Sequence, residues 1–193
     1  MPPSTDFRTC RDERLYRCAP QLWDEDLNKV RIVSAGADDI DALFGIYAEV
    51  AAEGGAEPQQ GKPLHDTFIE GWVRDRAVYA AHVDGVMAGG YFLRPNFPAF
   101  AAHIAQGGYL VARSMRRRGI GRRLVEHSLQ EAARVGYTAM MFNLVMATNP
   151  SRLLYESVGF EVIGSIPDVH GNEGAFIYWR RLAPEPVGRV PDR

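Results

Sequence analysis

Residues 107–135 read GGYLVARSMRRRGIGRRLVEHSLQEAARV and contain the pattern that decides the fold. A short apolar run typical of a β-strand leads into a turn rich in arginine and glycine, and an amphipathic helix follows over residues 120–135. The first N–H groups of a helix have no partner within it, and the helix dipole adds partial positive charge there. Glycine lets an anion approach the backbone and arginine adds full charge, so the turn predicts a site for a diphosphate.

Two familiar phosphate-binding loops do not match this turn. A Walker A loop needs Gly-Lys followed by Ser or Thr, whereas Gly121 is followed by Arg122. A dinucleotide fingerprint needs a third glycine where this chain has Leu124. A plain alternative stays open, in which the arginines form a solvated helix start and the glycines serve the turn and its packing.

On both sides of this stretch the chain alternates between strand-like and helix-like segments. The Asp84-Gly85 pair predicts a hairpin turn, Asp38 or Asp39 a helix N-cap, and Gly54-Gly55 a helix stop. The order of segments predicts an α+β domain with a mixed sheet, hairpins at both ends and a β-α-β-α-β unit between them. Strands are predicted at residues 30–35, 77–83, 86–93, 104–112, 138–146 (buried on both faces), 160–166 and 175–182, and helices at residues 38–52, 64–74, 120–135 and 151–158.

Composition is typical of one globular domain and excludes a disordered chain, since 46% of the 193 residues are hydrophobic and 24% are charged. We expect that domain over residues 30–183, with an extension at residues 1–29 and a proline-rich tail at residues 184–193. No run of 18 apolar residues and no signal-peptide pattern is present, so we expect a cytoplasmic protein without a membrane partner. Cys10 and Cys18 form no C-x-x-C pair, so no metal is expected.

Two sequence motifs resemble those of a known family. Val111 to Gly121 follows V-x-x-x-x-R-x-x-G-x-G, which resembles motif A of the GNAT superfamily of acyl-CoA N-acyltransferases. Residues 149–160, NPSRLLYESVGF, resemble motif B, in which an Asn-led loop enters a helix ending in L-Y-x-x-x-G-F. The two motifs occur in this order with a helix and a buried strand between them, and the resemblance covers about residues 30–182.

The resemblance implies a twisted, mostly antiparallel sheet of six to seven strands, with helices on both faces and a splayed central strand pair. It also implies acetyl-CoA, or a related acyl-CoA, as cosubstrate, and no metal. The backbone of the strand before the turn would pair with the pantetheine arm, and the amides of the turn would hold the pyrophosphate. The cofactor-binding residues implied in this way are Tyr109, Leu110, Val111, Arg116, Arg117, Arg118, Gly119, Ile120, Gly121, Arg122 and Asn149.

Two positions depart from the family pattern. Asn149 precedes Tyr155 by six residues, one fewer than is common, so the equivalent of the family asparagine is either Asn149 or Thr148. Arg117 stands where members of the family often carry glycine, and an arginine fits there if its φ is negative.

Tyr155 and His103 are the candidate catalytic residues. Tyr155 occupies the position where members of the family often carry a tyrosine that protonates the leaving thiolate; the alternative is an aromatic side chain on a core helix. Residues 102–112 and 138–146 contain no Asp or Glu, which leaves His103 as the candidate base or as a plain strand-start histidine. Asn143 either faces the cleft or is a satisfied core residue. The remaining histidines are expected on solvated faces or loops: His65, His82, His127 and His170.

We therefore predict an N-acetyltransferase that transfers an acetyl group to a primary amine of a small molecule or protein by direct attack. The alternative is an acyl-CoA-binding regulatory module without catalysis, which the missing carboxylate and the shortened Asn149 loop motivate. A nucleic-acid surface formed by the six arginines between Arg113 and Arg123 is opposed by the net charge of −2. The acceptor is unknown, residues 53–67 and 167–174 are expected to select it, and the protein is expected to be a monomer or homodimer.

Overall fold

The structure, a computed structural model, describes residues 29–53 and 65–182. Residues 1–28 of the predicted extension, the tail, both cysteines and the Gly54-Gly55 stop lie outside these ranges. A π-helical turn, Ile69–Val73, follows the second helix. The strands and α-helices of the described residues are β1 (Val30–Ser34), α1 (Ala37–Ala52), α2 (His65–Phe68), β2 (Ala77–Val83), β3 (Val86–Pro95), β4 (Ile104–Val111), α3 (Ile120–Arg134), β5 (Ala139–Met146), α4 (Arg152–Ser157), β6 (Glu161–His170) and β7 (Glu173–Arg181).

These strands form one seven-stranded sheet in the order β1-β2-β3-β4-β5-β7-β6. All neighbours are antiparallel except β4 and β5. The β2–β3 hairpin turns at Asp84 and Gly85, whose φ angles of 50° and 80° suit an Asp-Gly pair. The predicted α+β fold with a mixed, mostly antiparallel sheet is confirmed.

Helices cover both faces of the sheet. On the face that we call the α1 face, α1 and α2 bury Leu43, Tyr47 and Phe68 against side chains of β2, β3 and β4 such as Phe92 and Leu110. On the opposite face, which we call the α3 face, the buried stripe of α3 packs on β5, on odd-numbered side chains of β4 and, beyond the bulge near its start, on odd-numbered side chains of β3. This second core includes Leu124, Val125, Leu129, Tyr91, Ala105, Met140, Phe142 and Tyr155.

Three local predictions differ from the structure. The N-cap of α1 is Gly36, and Asp39 is the third helical residue, where its Oδ2 accepts a hydrogen bond from the Gly36 N–H at 3.0 Å. The helix predicted over residues 64–74 is one α-turn followed by the π-helical turn, with the rings of Phe68 and Trp72 stacked 6.1 Å apart. Strand β5 is not buried throughout, because its register with β7 shifts after Phe142 and Leu144 is 54% exposed.

Candidate functional site

The central feature of the sheet is an opening between β4 and β5. These parallel strands pair only at their starts, where Ile104 lies opposite Ala139 and Ala105 opposite Met140. Beyond these two pairs, residues 106–111 of β4 stay paired with β3 but have no register with β5. The two strands therefore diverge toward their C-terminal ends, which is the splay that the resemblance implies.

The backbone groups that line this opening can be identified from the β3–β4 hydrogen bonds. Ala112 N–H donates to Ala88 and Asn96 N–H to the Ile104 carbonyl, so even-numbered residues of β4 direct their backbone groups toward β3. Since alternate residues of a strand direct these groups to opposite sides, the odd-numbered residues 107, 109 and 111 face the opening. They are Gly107, Tyr109 and Val111.

Strand β4 leads directly to the start of α3. The first intrahelical bond joins the Arg123 N–H to the Gly119 carbonyl at 3.1 Å, so the N–H groups of Ile120, Gly121 and Arg122 have no partner within the helix. No side chain of the described residues caps them, and the first turn of the helix contains no acidic residue. Gly119 has a φ of 77°, and Ile120 is 2% exposed, which anchors the turn in the core. The chain thus presents a basic, uncapped helix start beside the opening.

The arginines of this turn have different surroundings. Arg116 donates to the Val111 carbonyl and forms an ion pair with Glu53 at the end of α1. Arg118 donates to the Met115 sulfur at 3.1 Å. Arg122 donates to the Ser157 hydroxyl at 2.8 Å, in a groove of about 420 Å³ between α3 and α4.

Arg117 corrects one expectation. It is exposed, and its φ is 58°, in the left-handed region, whereas we expected an arginine to fit with a negative φ. A β-carbon is strained there by about 1–2 kcal/mol, which explains why glycine suits this position.

Tyr155 lies on α4, on the α3 face of the opening. It is 9% exposed, with its ring centroid 4.8 Å from Phe142 and 6.4 Å from Tyr109. Burial raises the pKa of Tyr155 to about 12, although a hydrogen bond with Ser151 acts in the opposite direction. Its hydroxyl therefore stays protonated at neutral pH and is a proton donor rather than a base.

Asn149 has a local role at the start of α4. Its Oδ1 accepts a hydrogen bond from the Ser151 N–H at 2.8 Å, and its own N–H donates to the Met146 carbonyl. Thr148, the other candidate for the family asparagine, does not bond to the start of α4, since both its N–H and its hydroxyl donate to the Glu173 carboxylate. Asn149 thus sets where the turn that carries Tyr155 begins.

His103 lies just before β4, at the end where β4 and β5 are still paired. It is exposed, and its Nδ1 is 3.0 Å from the Phe100 carbonyl. Val111 lies eight positions further along the extended chain, a span of about 26 Å. The structure does not bring His103 together with the helix start or with Tyr155.

Two of the remaining histidines are not on solvated faces as we expected. His82 is 14% exposed in its side chain and pairs with Asp39 at 3.0 Å. The His127 Nδ1 is 2.6 Å from the Tyr91 hydroxyl under α3, where burial lowers the pKa of His127. Both belong to the packing of helices on the sheet: His82 of β2 meets Asp39 of α1, and His127 of α3 meets Tyr91 of β3.

A group of four polar side chains on the α1 face was only partly foreseen. Asn143 and Asn96 exchange two amide hydrogen bonds, of 2.8 and 2.6 Å, across the start of β4. Arg94 Nε and Nη2 both donate to Gln106 Oε1, at 2.9 and 2.5 Å. We call Arg94, Asn96, Gln106 and Asn143 the polar cluster. The sequence pointed to Asn143 alone, because the other three come together only through the β3–β4 register.

Comparisons with known proteins agree with this architecture. Residues 43–160 match the model of the acetyltransferase (GNAT) family, and the chain belongs to that family. It resembles N-acetyltransferase aca1 of Schizosaccharomyces pombe, with 40% identity over 99 residues, which are 48% of this chain and 47% of that protein. The chain thus covers about half of the length of that relative.

Two solved structures show the same fold. A GCN5-related N-acetyltransferase from Kribbella flavida aligns with a TM-score of 0.75 and 28% identity, over 81% of this chain and 99% of that one. The putative acetyltransferase yncA from Salmonella typhimurium, solved with its cofactor acetyl-CoA, aligns with a TM-score of 0.69 and 21% identity, over 82% of this chain and 99% of that one.

Within residues 29–53 and 65–182, no group of three or more His, Cys, Asp or Glu side chains is arranged to hold a metal ion. No helix in the same ranges combines the length and the apolar character needed to cross a membrane.

Proposed function

We propose that this chain is an N-acetyltransferase that transfers the acetyl group of acetyl-CoA to a primary amine. The observation that supports this most is the opening between β4 and β5, which leads to an uncapped, basic helix start. Family membership and the relative solved with acetyl-CoA add support. We assign the activity to residues 30–183 and expect a cytoplasmic location, in keeping with the use of acetyl-CoA.

The residues at the opening fit the chemistry of this substrate. Acetyl-CoA supplies an activated thioester on a long amide-bearing arm that ends in a diphosphate. The gap-facing groups of Gly107, Tyr109 and Val111 would pair with the arm as a neighbouring strand would, and would orient the thioester carbonyl. The N–H groups of Ile120, Gly121 and Arg122 would bind the diphosphate, with Arg117 and Arg118 adding charge. Leu110 contributes packing, because its side chain is buried on the α1 face.

Tyr155 is the proton donor in this proposal. Attack of a neutral amine on the thioester carbonyl forms a C–N bond and breaks the C–S bond, and the electron pair of the C–S bond stays on sulfur. A proton from the Tyr155 hydroxyl would neutralise the thiolate as it leaves. Asn149 is then a positioning residue for Tyr155, through its hydrogen bond at the start of α4.

The group that takes the proton from the amine is not assigned. Strands β4 and β5 contain no Asp or Glu. His103 stays a prediction, and its exposed position at the paired end of the strands does not favour a role as base. An amine that arrives neutral still loses one N–H proton once the C–N bond has formed. That proton would pass to water or return to the Tyr155 oxygen, which needs it after donating to sulfur, so the step requires no carboxylate from the chain.

The test begins with thermal unfolding in acetyl-CoA, CoA and ATP. At 100 times its dissociation constant, a ligand stabilises the folded state by about 2.7 kcal/mol, so acetyl-CoA and CoA should raise Tm clearly and ATP should not. CoA release is then measured with and without a panel of amines, and we expect release only with an acceptor. No Tm shift at millimolar acetyl-CoA would contradict the proposal. A shift without acceptor-dependent release would favour the acyl-CoA-binding regulatory module instead.

A further inference from the structure

The polar cluster lies where an acceptor would meet the acyl group. Gln106 immediately follows the last β4 residue that pairs with β5, and Asn143 follows the last paired β5 residue by three positions. The cluster is therefore at the narrow end of the opening, beside the gap-facing Gly107. Strand alternation places Arg94 and Gln106 on the same side of the sheet as Phe92 and Leu110, which is the α1 face. Tyr155 is on the opposite face.

Arg94 is held in a way that leaves one edge of its guanidinium available. A guanidinium has five N–H donors. Nε and one N–H of Nη2 converge on a single oxygen of Gln106, so this edge is used. The edge formed by Nη1 and Nη2 has no hydrogen-bond or ion-pair partner among the described residues. Because two parallel N–H groups on such an edge match the two oxygens of a carboxylate, Arg94 is pre-oriented for a bidentate anion.

Among residues 29–53 and 65–182, no carboxylate is paired with Arg94. Its partner Gln106 is neutral, and so is the Asn96–Asn143 pair, whose two amides are hydrogen-bonded to each other. Arg76 lies on the same face one strand away, with its guanidinium carbon 5.3 Å from the Phe92 ring centroid. A half-buried arginine on a neutral patch beside an apolar ring favours an anion, since no described carboxylate balances its charge.

We propose that the acceptor amine carries a carboxylate, which binds the Nη1–Nη2 edge of Arg94 at the narrow end of the opening. This deepens the proposed function and rests on it. The acceptor is then a small amino acid or a close analogue, held with its amine toward the thioester. The Asn96–Asn143 pair forms a neutral floor beside it.

Matched acceptors test this inference. Free amino acids of several sizes and charges are compared with their carboxamides and with the corresponding decarboxylated amines, by initial rates of CoA release. Because removing the carboxylate also changes the pKa of the amine, rates are compared at equal concentrations of neutral amine. We expect kcat/KM to be roughly ten- to a hundred-fold higher for the carboxylate acceptor of at least one matched set.

Two variants separate a binding role from a folding role. Arg94→Gln should remove the preference for the carboxylate acceptor, mainly through KM, and should leave the rate with its carboxamide within a few-fold. Arg31→Gln, at an exposed position of the edge strand β1, is the matched control and should change neither rate. Both variants should keep the acetyl-CoA-dependent rise in Tm.

The outcomes distinguish the inference from the proposed function. Absence of any acetyl-CoA-dependent rise in Tm would overturn both. If the protein binds acetyl-CoA but acetylates carboxamides and decarboxylated amines as fast as amino acids, the inference is overturned and the proposed function stands. The same holds if it acetylates other amines but no amino acid. Equal loss of activity toward every acceptor in Arg94→Gln would overturn it as well.

Discussion

Replacing Tyr155 by phenylalanine removes one hydroxyl and preserves the ring that α4 buries. The ring contacts Phe142, Phe160, Tyr109 and Tyr178 with centroids 4.8–6.4 Å away, and all of these contacts survive the substitution. Loss of the hydroxyl should therefore lower the free energy of unfolding by no more than about 0.5–1.5 kcal/mol. The variant is expected to fold and to bind acetyl-CoA with nearly unchanged affinity.

The expected loss is in turnover. With a pKa of about 12, the Tyr155 hydroxyl is ionised in only about one molecule in ten thousand at pH 8, so the donor is present throughout the neutral range. A general acid contributes roughly a factor of 10² to 10⁴, and kcat of Tyr155→Phe should fall by that amount. The wild-type rate should show no loss from ionisation of Tyr155 as pH rises from 6 to 10, because its pKa is raised above this range.

The assay is acceptor-dependent CoA release, with kcat and KM determined at several pH values. Tyr178→Phe is the control, because Tyr178 is fully buried 5.9 Å from Tyr155 and its hydroxyl donates to Glu156. That variant should keep kcat within a few-fold. A Tyr155→Phe enzyme with turnover equal to wild type, or to Tyr178→Phe, would refute the assignment of Tyr155 as the proton donor.

Three further predictions concern stability and are checked by urea unfolding. Arg117→Gly should be about 1 kcal/mol more stable than Arg117→Ala, because alanine keeps the β-carbon that is strained at a φ of 58°; equal stabilities would mean that the turn is not left-handed. Gly89→Ala should lower the free energy of unfolding by more than about 3 kcal/mol, since the new Cβ would lie 2.2 Å from the Leu110 carbonyl oxygen. Gly45→Ala, with open space around it in α1, should raise the free energy of unfolding by about 0.5–1 kcal/mol. Only a small loss of stability in Gly89→Ala would contradict the close approach of β3 and β4. Asn149→Ala should lower the free energy of unfolding by about 1 kcal/mol, and Asn149→Asp should change it little, because only aspartate keeps an oxygen acceptor for the Ser151 N–H. An equal loss of stability in the two variants would exclude that hydrogen bond.

Much of the fold could be predicted from local sequence signals. The strand, turn and helix of residues 107–135, the Asp84-Gly85 hairpin and the two family motifs each depend on neighbours in the chain, and the family prediction is confirmed. Local predictions were wrong where a neighbouring residue satisfied the same structural requirement in another way. Asp38 or Asp39 was expected as the N-cap of α1, but the N-cap is Gly36, whose N–H donates to the carboxylate of Asp39, the third helical residue.

The chemistry of the site was less accessible to sequence reasoning, because it depends on pairing across strands. Arg94 and Gln106 meet only in the β3–β4 register, and Asn96 reaches Asn143 across a third strand. The left-handed backbone conformation of Arg117 depends on the path of the turn into α3, and the residue types of the turn do not indicate it. The roles of Tyr155, Asn149 and the turn residues stay predictions until activity is measured.

Amide hydrogen exchange tests the central claim most directly, because alternate N–H groups of β4 face the opening while the others face β3. On addition of acetyl-CoA, exchange at Tyr109 and Val111 should slow strongly, and so should exchange at Ile120 and Gly121. The Leu110 N–H, which already faces β3, should change little, and ATP should protect none of the gap-facing amides. Uniform protection along β4, or no protection at Tyr109 and Val111 in saturating acetyl-CoA, would contradict binding in the opening.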